Sequence, residues 1–188
     1  MARRNDKRTR LIEAAKTLFH QKGVNVTTLA NIASLADVPL GNVYYYFQSK
    51  ESIIVAVIEQ CRKTVRESLQ LLEGKSTDPK QRLLHLLSCA PEELEVLIAY
   101  GDNVGGLCHE LSKEGGDVSQ SASLIMKEII DWCAGQFERM GKSSEIAAEL
   151  ALSFISNLQG SRLLGLTFKN PEYITRQNQY LAQWIQSL

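Results

Sequence analysis

Apolar positions recur every three or four residues along nearly the whole chain, and the strict alternation of a Val-, Ile- and Thr-rich strand is almost absent. That period predicts an all-α fold. The first helix carries Leu11, Ala14, Ala15, Leu18 and Phe19 on one face, and Gly23 supplies its left-handed stop. Thr27 or Thr28 then offers a hydroxyl cap to a short helix bearing Leu29, Ile32 and Ala33, which ends by Leu35 or Ala36. Asp37 falls at a turn position where a short polar side chain tolerates positive φ. Pro39 opens a third short helix reaching about Tyr46, because a first helical residue needs no N–H. Ser49, with Ser52 at the reciprocal position, caps a long fourth helix that starts near Lys50.

Beyond residue 73 the punctuation continues. Gly74 to Asp78 reads as a loop, with Asp78-Pro79 as cap and first helical residue of the next helix, and Ala90-Pro91-Glu92-Glu93 starts another with acids in its first turn. The glycine-rich stretch from Gly101 to Gly116 holds one short helix around Val104 to Lys113. A long helix is expected from about Val118 to Met140, stopped by Gly141. Ser143 or Ser144 caps the next, to about Phe168, and Asn170-Pro171 opens the last, to about Gln186.

The final two helices are apolar on more than one side. Leu150, Phe154 and Leu158 form one stripe; Ala148, Leu152 and Ile155 form a second. The last helix sets Tyr173, Gln177, Tyr180, Trp184 and Leu188 beside Ile174, Leu181 and Ile185. A helix apolar on several sides must be covered on several sides. In a chain this short the pattern predicts burial against a second copy, giving a homodimer through a four-helix bundle.

Charge alters this picture. The 188 residues hold 21 basic and 21 acidic side chains, and a net charge of zero argues against a polyanion as partner. The distribution reverses that inference: residues 1–50 carry eight basic and three acidic side chains, +5, which leaves 13 basic and 18 acidic, −5, for the remaining 138. One end faces a polyanion and the other does not. The longest apolar run, Ile53 to Ile58, is far too short to span a bilayer, and the basic N-terminus lacks the apolar stretch of a signal peptide. Cys61, Cys89, Cys108 and Cys133 are widely spaced with no CxxC pair, as expected of reduced thiols. A cytoplasmic protein with no membrane partner is expected.

Two short helices joined by a tight turn and supported by a preceding helix make a helix-turn-helix, whose second short helix enters the major groove of double-stranded DNA. Here that helix is Pro39-Leu40-Gly41-Asn42-Val43-Tyr44-Tyr45-Tyr46-Phe47. Gly41 admits close backbone approach, Asn42 can present a donor and an acceptor to a base edge, Leu40 can meet a thymine methyl, and tyrosine hydroxyls can reach phosphates. Val43 and Phe47 point inward with Ile32. The basic run Arg3, Arg4, Lys7, Arg8 and Arg10 is read as an arm that tracks phosphates. Lys50 adds charge where a helix N-terminus also favours phosphate.

Thr27-Thr-Leu-Ala-Asn-Ile-Ala33, Ala36-Asp-Val38, Gly41-Asn-Val-Tyr-Tyr-Tyr-Phe47 and Ser49-Lys-Glu51 resemble the N-terminal domain of TetR-family transcriptional regulators, over about residues 9 to 58. The resemblance implies a three-helix DNA-binding domain at 1–48 and a helical effector-binding and dimerisation domain at 49–188. It implies a homodimer that reads a palindrome, usually as a repressor, and leaves DNA when a small molecule binds. Thr27 or Thr28 would touch phosphate, Leu40, Gly41, Asn42 and Tyr44 would lie near bases, and Tyr45 and Lys50 would hold the backbone. Pro39, Leu40 and Asp37 depart from the family's usual hydroxyl, basic and glycine residues at those places.

The acidic part carries neither GxxxxGK[ST] nor GxGxxG, and no Ser-His-Asp or paired-carboxylate arrangement, so neither an enzyme nor a bound cofactor is expected. His85 with Cys89 and Cys108 with His109 do not make a metal site, since adjacent ligands on a helix point apart. Tyr100, Cys108, Trp132, Phe137, Phe154 and Asn157 are the candidate effector-binding residues, suited to a small, largely apolar or electrophilic compound. Cys108, near a helix start, also carries an alternative reading as the thiol of a redox sensor built on the same DNA-binding domain.

Overall fold

A computed structural model describes residues 2–113 and 115–188, with side chains described from Asp6 onward. Among the described residues the chain forms ten α-helices and no strand: α1 (Ala2–Lys22), α2 (Leu29–Leu35), α3 (Leu40–Tyr46), α4 (Lys50–Lys75), α5 (Pro79–Leu87), α6 (Pro91–Tyr100), α7 (Asn103–Ser112), α8 (Gly116–Arg139), α9 (Ser144–Phe168) and α10 (Glu172–Ser187). The helix ends follow the sequence chemistry. Gly23 closes α1 at φ 95. Of the two threonines, Thr28 is the cap of α2: its hydroxyl accepts the Asn31 N–H while the Asn31 side chain accepts the Thr28 N–H, satisfying two donors at once. Ser49 and Ser52 exchange the same pair of bonds at α4. Asp78 accepts the Lys80 N–H ahead of α5, and Ser143 that of Ile146 ahead of α9.

Two prolines stand one position earlier than the sequence suggests. Pro39 and Pro171 precede α3 and α10 as caps, and Leu40 and Glu172 are the first helical residues. Asn170 takes up the exposed N–H of Glu172 at 2.9 Å, a task proline cannot perform for its successor.

The chain divides into two units, one of Met1–Thr64 with Gly106–Ile125, the other of Val65–Gly105 with Met126–Leu188. In the first, α1 packs on α2 and α2 on α3, and Leu11, Ala15, Ile32, Val43, Ile53 and Leu111 are buried. In the second, α10 lies against α9 and α5, and α6 against α9. Its core joins Leu83, Cys133, Phe137, Ala147, Ala151, Phe154, Leu158, Leu181 and Ile185. Small Ala147 and Ala151 admit neighbours close to α9, and Phe137 fills the centre edge-on to Phe154 at 6.5 Å. Lys169, left-handed at φ 51, ends α9 and sends its ammonium to the carbonyls of Ile98 and Ala99, the negative end of α6.

Candidate nucleic-acid interface

The outer face of α3 is defined by what its inner face buries. Val43, Phe47 and Ile32 are sealed in the core, as the spacing predicts. Seven residues of helix then leave Leu40, Gly41, Asn42, Tyr44 and Tyr45 outside, with Tyr44 55% and Tyr45 63% exposed. Tyr46 is half-buried and meets Tyr45 edge-on at 5.1 Å. A Cβ built on Gly41 would meet nothing within 4 Å. The fold itself therefore does not require glycine there, and the bare backbone is a property of the outward surface.

Neighbouring groups fix this helix in place. Asp37 adopts φ 52 in the turn between α2 and α3. The Arg10 guanidinium of α1 donates to the carbonyls of Ala36 and Asp37 and, at 3.1 Å, to the Asp37 carboxylate, so one cation caps the end of α2 and holds the turn. At the far end of α3 the Arg8 guanidinium lies 5.2 Å over the Phe47 ring. Arg3 and Arg4 of the basic arm lie outside the residues whose side chains are described. Lys50 stands at the first turn of α4 and donates to the Asn25 carbonyl at 3.1 Å.

One assignment is corrected here. Thr27 is 1% exposed and its hydroxyl donates to the Gly23 carbonyl at 2.7 Å, so it is an internal strut and does not reach a phosphate. Thr28 is the exposed member of the pair.

The six effector candidates are not brought together. Phe137 and Phe154 are fully buried and pack on one another, with Trp184 6.1 Å from Phe137. Where the sequence set them at the wall of a cavity, their rings pack in the core, and neither lines the groove between α9 and α10. Trp132 packs at the edge of that core, with its indole N–H on Glu73 at 3.2 Å. Tyr100 is exposed at the end of α6. Cys108 is half-buried, its thiol donating to the Ala122 carbonyl at 3.2 Å. Asn157 lies on the outside of α9 and accepts from Gln177, within a groove of about 680 Å³ between α9 and α10 that Gly160, Leu164, Tyr173 and Tyr180 also line.

Burial sets the thiol chemistry. It pushes Cys133 up to about 12 and raises Cys61, for which Lys16 acts in the opposite sense. Cys89 is raised as well, by burial first and then by Glu93. Among the described residues no group of three or more His, Cys, Asp or Glu could hold a metal ion, and no helix is long and apolar enough to cross a membrane.

Sequence reasoning missed Glu110, whose carboxylate accepts the Val24 N–H from 86 residues away. No local pattern could have paired the two.

Comparison with known proteins bears on the same segment. The family model for bacterial regulatory proteins of the tetR family matches residues 11–57. The transcriptional regulator LmrA of Bacillus subtilis is 27% identical over 172 residues, 88% of this chain and 89% of LmrA. The regulator TtgR of Pseudomonas putida is 39% identical over 125 residues, 66% of this chain and 59% of TtgR. In fold, the crystal structure of a TetR transcriptional regulator from Legionella pneumophila agrees with a TM-score of 0.80 over 93% of this chain and 94% of that one, at 21% identity. The buried inner face of α3, its open outer face and the match across residues 11–57 place this chain in the TetR family of DNA-binding helix-turn-helix transcriptional regulators.

Proposed function

We propose that the chain is a repressor that binds a palindromic operator as a homodimer in the cytoplasm and is released by a small-molecule effector. The observation that carries this reading is the outer face of α3, where Gly41 has open space and Asn42, Leu40 and Tyr44 stand free of the core. A recognition helix needs a rigid inner side and an outer side with no other task. Leu40, Gly41, Asn42 and Tyr44 meet bases; Thr28, Tyr45 and Lys50 meet phosphates. Residues 1–48 read DNA, and 49–188 dimerise and answer the effector. Support for the dimer comes from the groove face of α9 and α10, where Leu152, Leu164, Tyr173 and Tyr180 are exposed. An effector releases DNA only by binding more tightly to the conformation whose half-site spacing, about 34 to 36 Å, is wrong.

The test begins with selection of a bound duplex from a random pool by the full-length protein. Two variants then separate phosphate holding from base reading on that duplex. Lys50→Ala weakens every sequence alike and lowers the salt slope by about one unit, since one phosphate is no longer neutralised. Asn42→Ala relaxes discrimination at one base pair by about 1 to 3 kcal/mol. Equal weakening on all sequences for Asn42→Ala refutes its base-reading role, and failure of the wild type to select any duplex refutes the DNA reading itself. A compound screen for release of the selected duplex tests the effector half.

A further inference from the structure

The loop between α1 and α2 is held from outside by a carboxylate. Glu110 of α7 accepts the Val24 N–H at 2.7 Å, and the side chain of Val24 is buried. The preceding residue is shaped around the same group. Gly23 sits at φ 95, and a Cβ there would stand 3.0 Å from both Glu110 carboxylate oxygens. Gly23 thus ends α1 and also leaves the gap that the carboxylate occupies. Leu107, one turn before Glu110, and Leu111, next to it, are buried, so the helix that presents the carboxylate is itself anchored in the core.

From Val24 the chain of bonds runs on toward α2. The Thr27 N–H donates to the Val24 carbonyl at 3.3 Å, and the buried Thr27 hydroxyl donates to the Gly23 carbonyl. The next residue, Thr28, is the cap of α2, which packs on α3. Lys50 takes the Asn25 carbonyl from the other side. Glu110 therefore grips the loop by an N–H and Lys50 by a C=O. If the Lys50 ammonium turns to a phosphate, Glu110 still holds the loop.

We propose that Glu110 is a positioning residue for DNA reading: through Val24 it fixes the entry to α2 and thereby the placement of the outer face of α3. The inference rests on the DNA-reading role of α3, and Glu110 need not touch DNA. A positional role predicts a loss confined to sequence-specific binding, because misplacing α3 spoils base contacts while loosely held phosphate contacts adapt.

The experiment uses the full-length protein, the duplex it selects from a random pool, and a scrambled duplex of equal length. Glu110→Gln retains a carbonyl acceptor for Val24, whereas Glu110→Ala removes it. Glu110→Ala is expected to bind the selected duplex about three- to tenfold more weakly, the span of one hydrogen bond, with the scrambled duplex unchanged. Glu110→Gln is expected to stay close to wild type on both. Amide exchange at Val24 should speed up in the alanine variant and not in the glutamine one. Wild-type affinity of Glu110→Ala for the selected duplex, equal weakening on both duplexes, or Glu110→Gln as weak as Glu110→Ala would each overturn the proposal. Should Glu110→Ala fail to fold, Glu110→Asp, one methylene short, is held to the same pattern. A wild type that selects no duplex fails the DNA reading, while an alanine variant equal to a binding wild type fails only the role of Glu110.

Discussion

At position 37 the sequence departs from the usual turn glycine, and the structure shows how the departure is tolerated. Asp37 is left-handed at φ 52, a conformation that favours glycine by roughly 1 kcal/mol. Arg10 offsets part of this cost, but unevenly. Its bonds to the Ala36 and Asp37 carbonyls do not depend on the side chain at 37. Its pairing with the Asp37 carboxylate does, and that carboxylate is 98% exposed, so water and salt leave the pair little net worth. Asp37→Gly should therefore stabilise the protein by about 0.5 kcal/mol, read as a higher urea midpoint at unchanged slope. Arg10→Ala should destabilise it by more, because two carbonyls at the end of α2 lose their donor. Similar losses of stability from the two substitutions would show that the side-chain pair, and not the carbonyl caps, holds the turn.

Element by element, the helices differ in how much of them can be read in advance. Starts and stops are short-range chemistry, so Thr28, Ser49, Asp78, Ser143, Gly23 and Gly141 can be placed at helix ends from neighbouring residues alone. Faces are harder. Thr27 and Thr28 differ by one position, and only packing decides which hydroxyl turns inward. Phe137 and Phe154 recur at helical spacing whether they wall a cavity or fill a core; the small Ala147 and Ala151 beside them, which draw neighbours in, decide for the core. α6 shows the limit of periodicity. Its Leu94, Val96, Leu97 and Ile98 read as an apolar helix, yet none of its residues is fully buried. The tie from Glu110 to Val24 is invisible in the sequence because donor and acceptor lie 86 residues apart.

The core of α8 and α9 also makes a prediction of its own. Cys133 is buried with its thiol pushed from 9.0 up to about 12, so the folded state keeps the proton that the unfolded chain releases. A raised folded value means full stability below pH 9 and a loss as pH climbs from about 9 to about 12. Urea unfolding across that window should show a steeper decline for wild type than for Cys133→Ala, whose other titrating groups are the same. At pH 8 the native thiol should resist alkylation and react only on unfolding. Parallel declines, or native alkylation, would place Cys133 outside the core.

For the whole molecule, the question raised by zero net charge is how such a chain holds DNA. The +5 of residues 1–50 is modest for one copy; two copies double the phosphates engaged and steepen the salt dependence in proportion. DNA binding and self-association are thereby tied together, and α9 offers a place to cut the tie. Leu152, Ser156, Gly160 and Leu164 follow at intervals of four along its outer side, all exposed. A Cβ at Gly160 meets nothing within 4 Å, so a side chain there is accommodated within the protomer, and leaving glycine favours the helix by up to about 1 kcal/mol. In the proposed two-fold dimer the same substitution sets two like charges into a shared apolar face. Gly160→Glu should therefore keep or raise the unfolding midpoint while the sedimenting mass falls from twice 21.0 kDa to 21.0 kDa. The selected palindrome should no longer be held once the dimer is gone, because one copy can occupy only one of two half-sites. Residual binding should match that of the wild type for a single half-site. A variant that still sediments as a dimer would move the interface away from this face of α9, and a wild type that sediments at 21.0 kDa would remove the dimer from the account.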